Sequence, residues 1–269
     1  MTGLLHHVLH PAASGRGPAL LLIHPLGADH RFWDACLPAW TPRVACLAVD
    51  LRGAGHSPGT GTLPTLADHA AELEALRTSL GIDRVVPVGC AVGAMVAATY
   101  AARYPDHTAA LVMANPTAYS VPAAREMLHA RARTVRAEGI AAILPEALDR
   151  AFAEQPRDTR YDAYYAAFAA QDPMAYADAV ESFATADARG DMPKVRCPVL
   201  LVPARHDLLL PPALADEVRS LLPPGARLEL DEDGAHFLPY QRPERFARRV
   251  LDFLTPLPAV PMPQGNTQG

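Results

Sequence analysis

The sequence predicts an α/β protein: a mainly parallel sheet with helices on both faces and a helical insertion late in the chain. Two observations carry this. Short apolar runs rich in Val, Leu and Ile alternate with longer helical stretches, the pattern of doubly buried strands joined by crossover helices. Between residues 116 and 195 the alternation stops. There the chain reads ARARTVRAEGIAAILPEALDRAF and then YDAYYAAFAAQDPMAYADAV, helical throughout and rich in Ala, Tyr and Arg. With 269 residues, 50% of them hydrophobic, one full core plus an insertion can be buried.

Taken in order, strands are expected at 4–10, 19–23, 44–49, 85–88, 109–113, 199–202 and 227–230, within a sheet of about eight strands. Helices are expected at 65–80, 92–103, 212–222 and 243–254, the last opened by Pro243, which suits the first turn. Residues 1–115 and 196–254 would form the α/β core, and 116–195 a helical cap roofing its C-terminal edge and setting substrate choice. The final stretch, 255–269, ends in PLPAVPMPQGNTQG, with six Pro or Gly residues and little to bury, and is expected to be disordered.

Charge and composition exclude several classes. The net charge of −5, with basic residues scattered, gives no nucleic-acid footprint. No run of about 18 apolar residues is present, so no membrane span is expected. The opening MTGLLHHVLH has neither the charged nor the apolar segment of a signal peptide, which points to a cytoplasmic location. Cys36, Cys46, Cys90 and Cys197 show no ligand spacing and read as reduced, buried thiols. No metal and no cofactor is expected; the partner is a small-molecule substrate, and the chain a monomer or homodimer.

The chemistry concentrates in one turn. An apolar strand runs into Gly89-Cys90-Ala91-Val92-Gly93 and then into an alanine-rich helix. That is the layout of the nucleophile elbow Gly-x-Ser-x-Gly, whose glycines permit a sharp strand-to-helix turn, but alanine stands where the serine would. Cys90, one residue before the apex, would point away into the packed interior rather than replace it. In such a site the acid and the histidine follow the nucleophile in chain order. Asp207 lies just past an apolar strand, with Pro211 and Pro212 opening a helix soon after. His236 follows the last strand, at the end where open α/β sheets place reactive groups. Asp207 would fix the imidazole's tautomer, and His236 would serve as base.

These segments resemble the α/β-hydrolase fold superfamily over nearly the whole chain. Leu20-Leu21-Leu22-Ile23-His24-Pro25-Leu26-Gly27 looks like the strand and oxyanion loop that usually reads His-Gly in the family, with Pro25 at the second position. Asp50-Leu51-Arg52-Gly53-Ala54-Gly55-His56-Ser57 matches its Asp-x-Arg-Gly-x-Gly-x-Ser turn. Within the family, HPLGADHRFW and YADAVESFATAD are most similar to 3-oxoadipate enol-lactonases. The resemblance implies an ester or lactone hydrolase with Ala91, Asp207 and His236 at the triad positions. It also implies an oxyanion hole from the backbone N–H groups of Leu26 and Val92.

Other residues stay open on sequence. Asp50 reads as a structural residue bonding loop backbone. His24 could touch substrate or be a hydrogen-bonded structural histidine. Arg125, Arg131 or Arg133 could clamp a substrate carboxylate or form a solvated helix face. Ala91 allows three outcomes. The site is an inactivated form of a serine hydrolase. It is a serine-free enzyme in which the His236–Asp207 pair acts as general base, in hydrolysis or as an isomerase, lyase or cofactor-free oxygenase. Or it is a ligand-binding pseudo-hydrolase without turnover.

Overall fold

The structure, a computed structural model, describes residues 3–13 and 17–255. The expected disordered tail, Thr255 apart, lies outside the described residues. Strands β1 (His7–His10), β2 (Ala19–Ile23), β3 (Cys46–Val49), β4 (Val85–Cys90), β5 (Leu111–Ala114), β6 (Val199–Val202) and β7 (Arg227–Leu228) form one sheet, ordered β1-β3-β2-β4-β5-β6-β7. β1 runs antiparallel to β3, and every other pairing is parallel. Seven strands are present among the described residues, where about eight were expected. The reason lies in the chain: the apolar runs account for seven segments, and the residues before β2 make a single edge strand.

Side chains alternate across the sheet as the pleat requires. Leu20, Leu22, Ala48, Val86, Val88 and Val112 face one core; Leu21, Ile23, Leu47, Val49, Leu111 and Met113 face the other. Helices α1 (Leu37–Trp40) and α10 (Pro243–Leu254) cover the first face, where Trp33, Trp40 and Phe246 stack edge and tilt against one another. Helices α2 (Leu66–Ser79), α3 (Val92–Arg103) and α8 (Ala213–Leu221) cover the second through Leu73, Met95 and Val218. α2 starts at a capping box, in which the Thr65 hydroxyl accepts from the Asp68 N–H while the Asp68 carboxylate accepts from the Thr65 N–H.

Between β5 and β6 the chain runs through α4 (Pro122–Glu138), α5 (Leu144–Ala151), α6 (Thr159–Ala169) and α7 (Pro173–Ala184), with no strand among the described residues. α4 packs along α7, and a bridge between Tyr119 and Asp187 ties the two ends of this segment together. A last short helix, α9 (Leu238–Gln241), precedes α10. Among the described residues no helix is long and apolar enough to cross a membrane.

Candidate active site

The turn after β4 is built by contact as well as by conformation. A side chain on Gly89 would place its Cβ about 2.1 Å from the Gly93 carbonyl oxygen, and one on Gly93 about 2.4 Å from the Ile23 carbonyl oxygen. Only glycine at both positions lets α3 start this close to the sheet. Between them Ala91 has φ 52° and ψ −116°, a conformation that an L-residue adopts at a cost of roughly 1–3 kcal/mol. The strained apex conformation is therefore present although alanine, which carries no hydroxyl, occupies it. The Ala91 N–H donates to the Ala114 carbonyl at 3.0 Å, which pins the apex to β5.

Asp207 lies past the end of β6 and is almost wholly buried. Its Oδ1 accepts from the N–H groups of Leu209 and Leu210, both at 2.8 Å. His236 Nδ1 lies 3.1 Å from Oδ1 and 3.0 Å from Oδ2. Burial works to raise the Asp207 pKa, but the facing imidazole and these N–H donors outweigh it and hold the carboxyl below its ordinary range. An ionised carboxylate only accepts, so His236 donates from Nδ1. In the neutral ring that leaves the lone pair on Nε2, the arrangement a proton acceptor needs.

Asn115, which sequence reasoning missed, completes the support. It follows β5 with φ 46°, a left-handed conformation that Asn tolerates better than most residues. Its Nδ2 donates to Asp207 Oδ2 at 2.6 Å and to the Ala235 carbonyl at 3.2 Å, joining the acid to the residue before the histidine. The only sequence signal was an Asn-Pro pair after an apolar strand, which is read as an ordinary turn.

A cavity of about 410 Å³ opens above the sheet edge, within the usual size of a small-ligand site. Leu26, Ala91, Val92 and His236 line it together with Arg131 and Tyr176. The remaining walls are largely apolar side chains of the β5–β6 helical segment and the loop after Asp207. The N–H groups of Leu26 and Val92 have no acceptor among the described residues. Val92 is the first residue of α3, so its free N–H also stands at the positive end of that helix. Cys90 is fully buried; its thiol donates to the His236 carbonyl at 3.7 Å, and burial pushes its pKa well up, so no thiolate is on offer.

The structure places two residues considered for substrate contact away from this cavity. His24 does not reach the cavity: Nδ1 donates to the Pro25 carbonyl at 2.8 Å, and Nε2 accepts the Leu51 N–H at 3.0 Å. Burial lowers its pKa, keeping it neutral, and both ring nitrogens serve the loop. Arg125 is exposed and does not line the cavity. Of the three arginines on α4, Arg131 does, lying beside the Tyr176 hydroxyl. Among the described residues no carboxylate is within ion-pair distance of Arg131.

This strand order, with an elbow after β4, an acid after β6 and a histidine after β7, agrees with a family model for the α/β-hydrolase fold that matches residues 18–243. The chain belongs to the α/β-hydrolase fold family. Among solved structures it is similar to the enol-lactonase from Burkholderia xenovorans LB400, with 28% identity, a TM-score of 0.85, and coverage of 93% of this chain and 96% of that one. A thermophilic esterase from Thermogutta terrifontis, solved with malate bound, is 25% identical with a TM-score of 0.85 over 93% of this chain and 92% of its own. A protein of Caulobacter sp. (strain K31), named provisionally as the carbamate hydrolase RutD, is 27% identical over 259 residues, 93% of this chain and 96% of its own.

Proposed function

We propose that the chain is a serine-free hydrolase of a small ester or lactone, with an enol-lactone as the best single substrate candidate, and that His236 acts as general base on water. The observation carrying this reading is the intact His236–Asp207 pair, with Nε2 free, on a cavity shared with an elbow whose apex holds no hydroxyl. The helices of 116–195 act as the cap over this cavity. Without a nucleophile at Ala91 no acyl-enzyme can form. A water molecule in the space a serine oxygen would occupy gives up a proton to His236 Nε2, and its oxygen adds to the substrate carbonyl carbon. The oxyanion is held by the N–H groups of Leu26 and Val92. Collapse of the tetrahedral adduct breaks the bond to the leaving oxygen, which takes the proton back from His236. Asp207 holds the imidazole and stabilises its transient charge without being protonated.

Relatives named as an enol-lactonase, an esterase and a carbamate hydrolase all share a carbonyl bonded to a leaving heteroatom, which supports that substrate class. Arg131, without an acidic partner among the described residues, is placed to pair with a carboxylate carried by the substrate. His236→Ala in the otherwise unchanged chain tests the reading on small lactones and nitrophenyl esters. Turnover should fall by about 10²–10⁴, the usual worth of a general base. A rate that survives the substitution would defeat it. Ala91 itself favours a second reading, a receptor that holds the ester and releases it unchanged; calorimetry showing micromolar binding with no product after hours would select that one.

A further inference from the structure

Away from the cavity, three histidines gather around one buried carboxylate. Asp50 follows β3 and is fully buried. Its Oδ2 lies 2.8 Å from His6 Nδ1, and its Oδ1 lies 2.8 Å from His30 Nδ1. The backbone N–H groups of His30 and His56 donate to the same carboxylate at 2.7 and 2.9 Å. The His6 and His30 ring centroids are 5.1 Å apart, and the His56 ring is 4.8 Å from His6 and 6.3 Å from His30. These residues come from three segments: the chain before β1, the loop after β2 and the turn after β3. Gly55 is forced by the same carboxylate, since a Cβ there would lie 2.4 Å from Asp50 Cγ. None of the four lines the cavity.

We propose that His6, His30 and Asp50 bind one divalent transition-metal ion of the zinc, cobalt or nickel kind, with water completing its coordination. Three considerations support the site. First, one ligand atom from each of His6, His30 and Asp50 lies within 4.8 Å of the others, the only such group among the described residues. Each Nδ1-to-oxygen separation of 2.8 Å is a hydrogen-bond distance, which would widen to roughly 3.4 Å for two donors about 2.1 Å from a common tetrahedral ion. Second, two imidazoles and a carboxylate suit borderline divalent ions, whereas calcium and magnesium call for oxygen ligands. Third, Asp50 is a buried anion with no Arg or Lys within ion-pair reach among the described residues; its ion-pair contacts are His6 and His30 alone. A dication supplies the charge that burial of a carboxylate demands.

On binding, each ring presents its Nδ1 lone pair to the metal and carries its one N–H on Nε2, the Nδ1 proton passing to Nε2 through solvent with no net proton gained or lost. The His6 side chain, 36% exposed, permits that exchange. The N–H donors of His30 and His56 stay on the carboxylate and keep it oriented. The ion would clamp the segment before β1, the loop carrying Leu26 and the turn after β3 into one unit.

The test uses the full chain without an affinity tag, stripped with chelator and titrated with Zn²⁺ by calorimetry and with Co²⁺ by visible absorption. One ion per chain should bind at micromolar affinity or better, with the thermal midpoint raised. His6→Gln and His30→Gln should each weaken binding at least tenfold, while His7→Gln and His10→Gln leave it unchanged. His6 is part-exposed, so His6→Gln reports even if His30→Gln fails to fold. Affinity no better than millimolar, or micromolar binding that survives His6→Gln, would overturn the proposal.

Discussion

Ala91→Ser adds one oxygen to a carbon that already stands at the apex of the elbow. The conformational cost of φ 52° is carried by the alanine today, so the serine incurs none that is new. Ala91 is 3% exposed but borders a cavity of about 410 Å³, so an oxygen enters open space without crowding. Folding stability should therefore change by no more than about 0.5 kcal/mol, the scale of a substitution that neither overpacks nor opens a core. Catalysis should respond very differently. Losing the nucleophile from a triad of this kind costs about 10⁶ in turnover, or about 8 kcal/mol of barrier, which bounds what restoring it can return. Stopped-flow measurements on nitrophenyl esters should show a burst of one acyl equivalent, absent from the Ala91 chain, and mass spectrometry should find the ester on residue 91. Small lactones should be opened faster by several orders of magnitude. A folded Ala91→Ser chain with no burst, and rates within tenfold of its parent across that panel, would refute the placing of the elbow, His236 and the Leu26–Val92 donors in one constellation.

Two further outcomes follow from buried and half-buried charge. His69 on α2 is almost fully buried, stacked on Phe183 at 5.4 Å, with neither ring nitrogen hydrogen-bonded among the described residues, and burial lowers its pKa to about 4. Between pH 6.5 and 4 the unfolded chain takes up a proton that the folded chain refuses, so stability falls as pH falls through that window, by about 3 kcal/mol in all. His69→Phe should remove that part of the slope in urea unfolding midpoints between pH 4 and 7; an unchanged slope would mean the histidine is not the source. Arg131→Gln should raise KM for a carboxylate-bearing ester by about 10- to 100-fold, the worth of a hydrogen bond to a charged group, with little change for a neutral ester. Equal effects on both substrates would remove Arg131 from carboxylate recognition.

The sequence by itself determined whatever depends on neighbours along the chain. Gly89 and Gly93 mark the elbow because a strand, a sharp turn and a helix must follow in a handful of residues. The bounds of α3 and α10 are the ones the sequence predicts. The order of Ala91, Asp207 and His236, each just past a strand, was legible for the same reason, since strand ends are local signals and a parallel sheet brings its C-terminal ends to one edge. The expected eighth strand shows the limit: about eight were expected, seven stand among the described residues, and no further apolar run supplied another.

Tertiary structure decided what depends on which face of an element is turned where. Six residues separate Arg125 from Arg131, and at about 100° per residue the two leave α4 in different directions. Packing of α4 on α7 selects Arg131 for the cavity, and periodicity alone could not. His24 looked available because its sequence neighbours do not reveal that Pro25 and Leu51 occupy both its nitrogens. Asn115 reaches Asp207 across 92 residues, and His6 meets Asp50 across 44. Contacts of that kind are fixed by the register of the sheet and the close approach of its loops, so they exist only once the chain has folded.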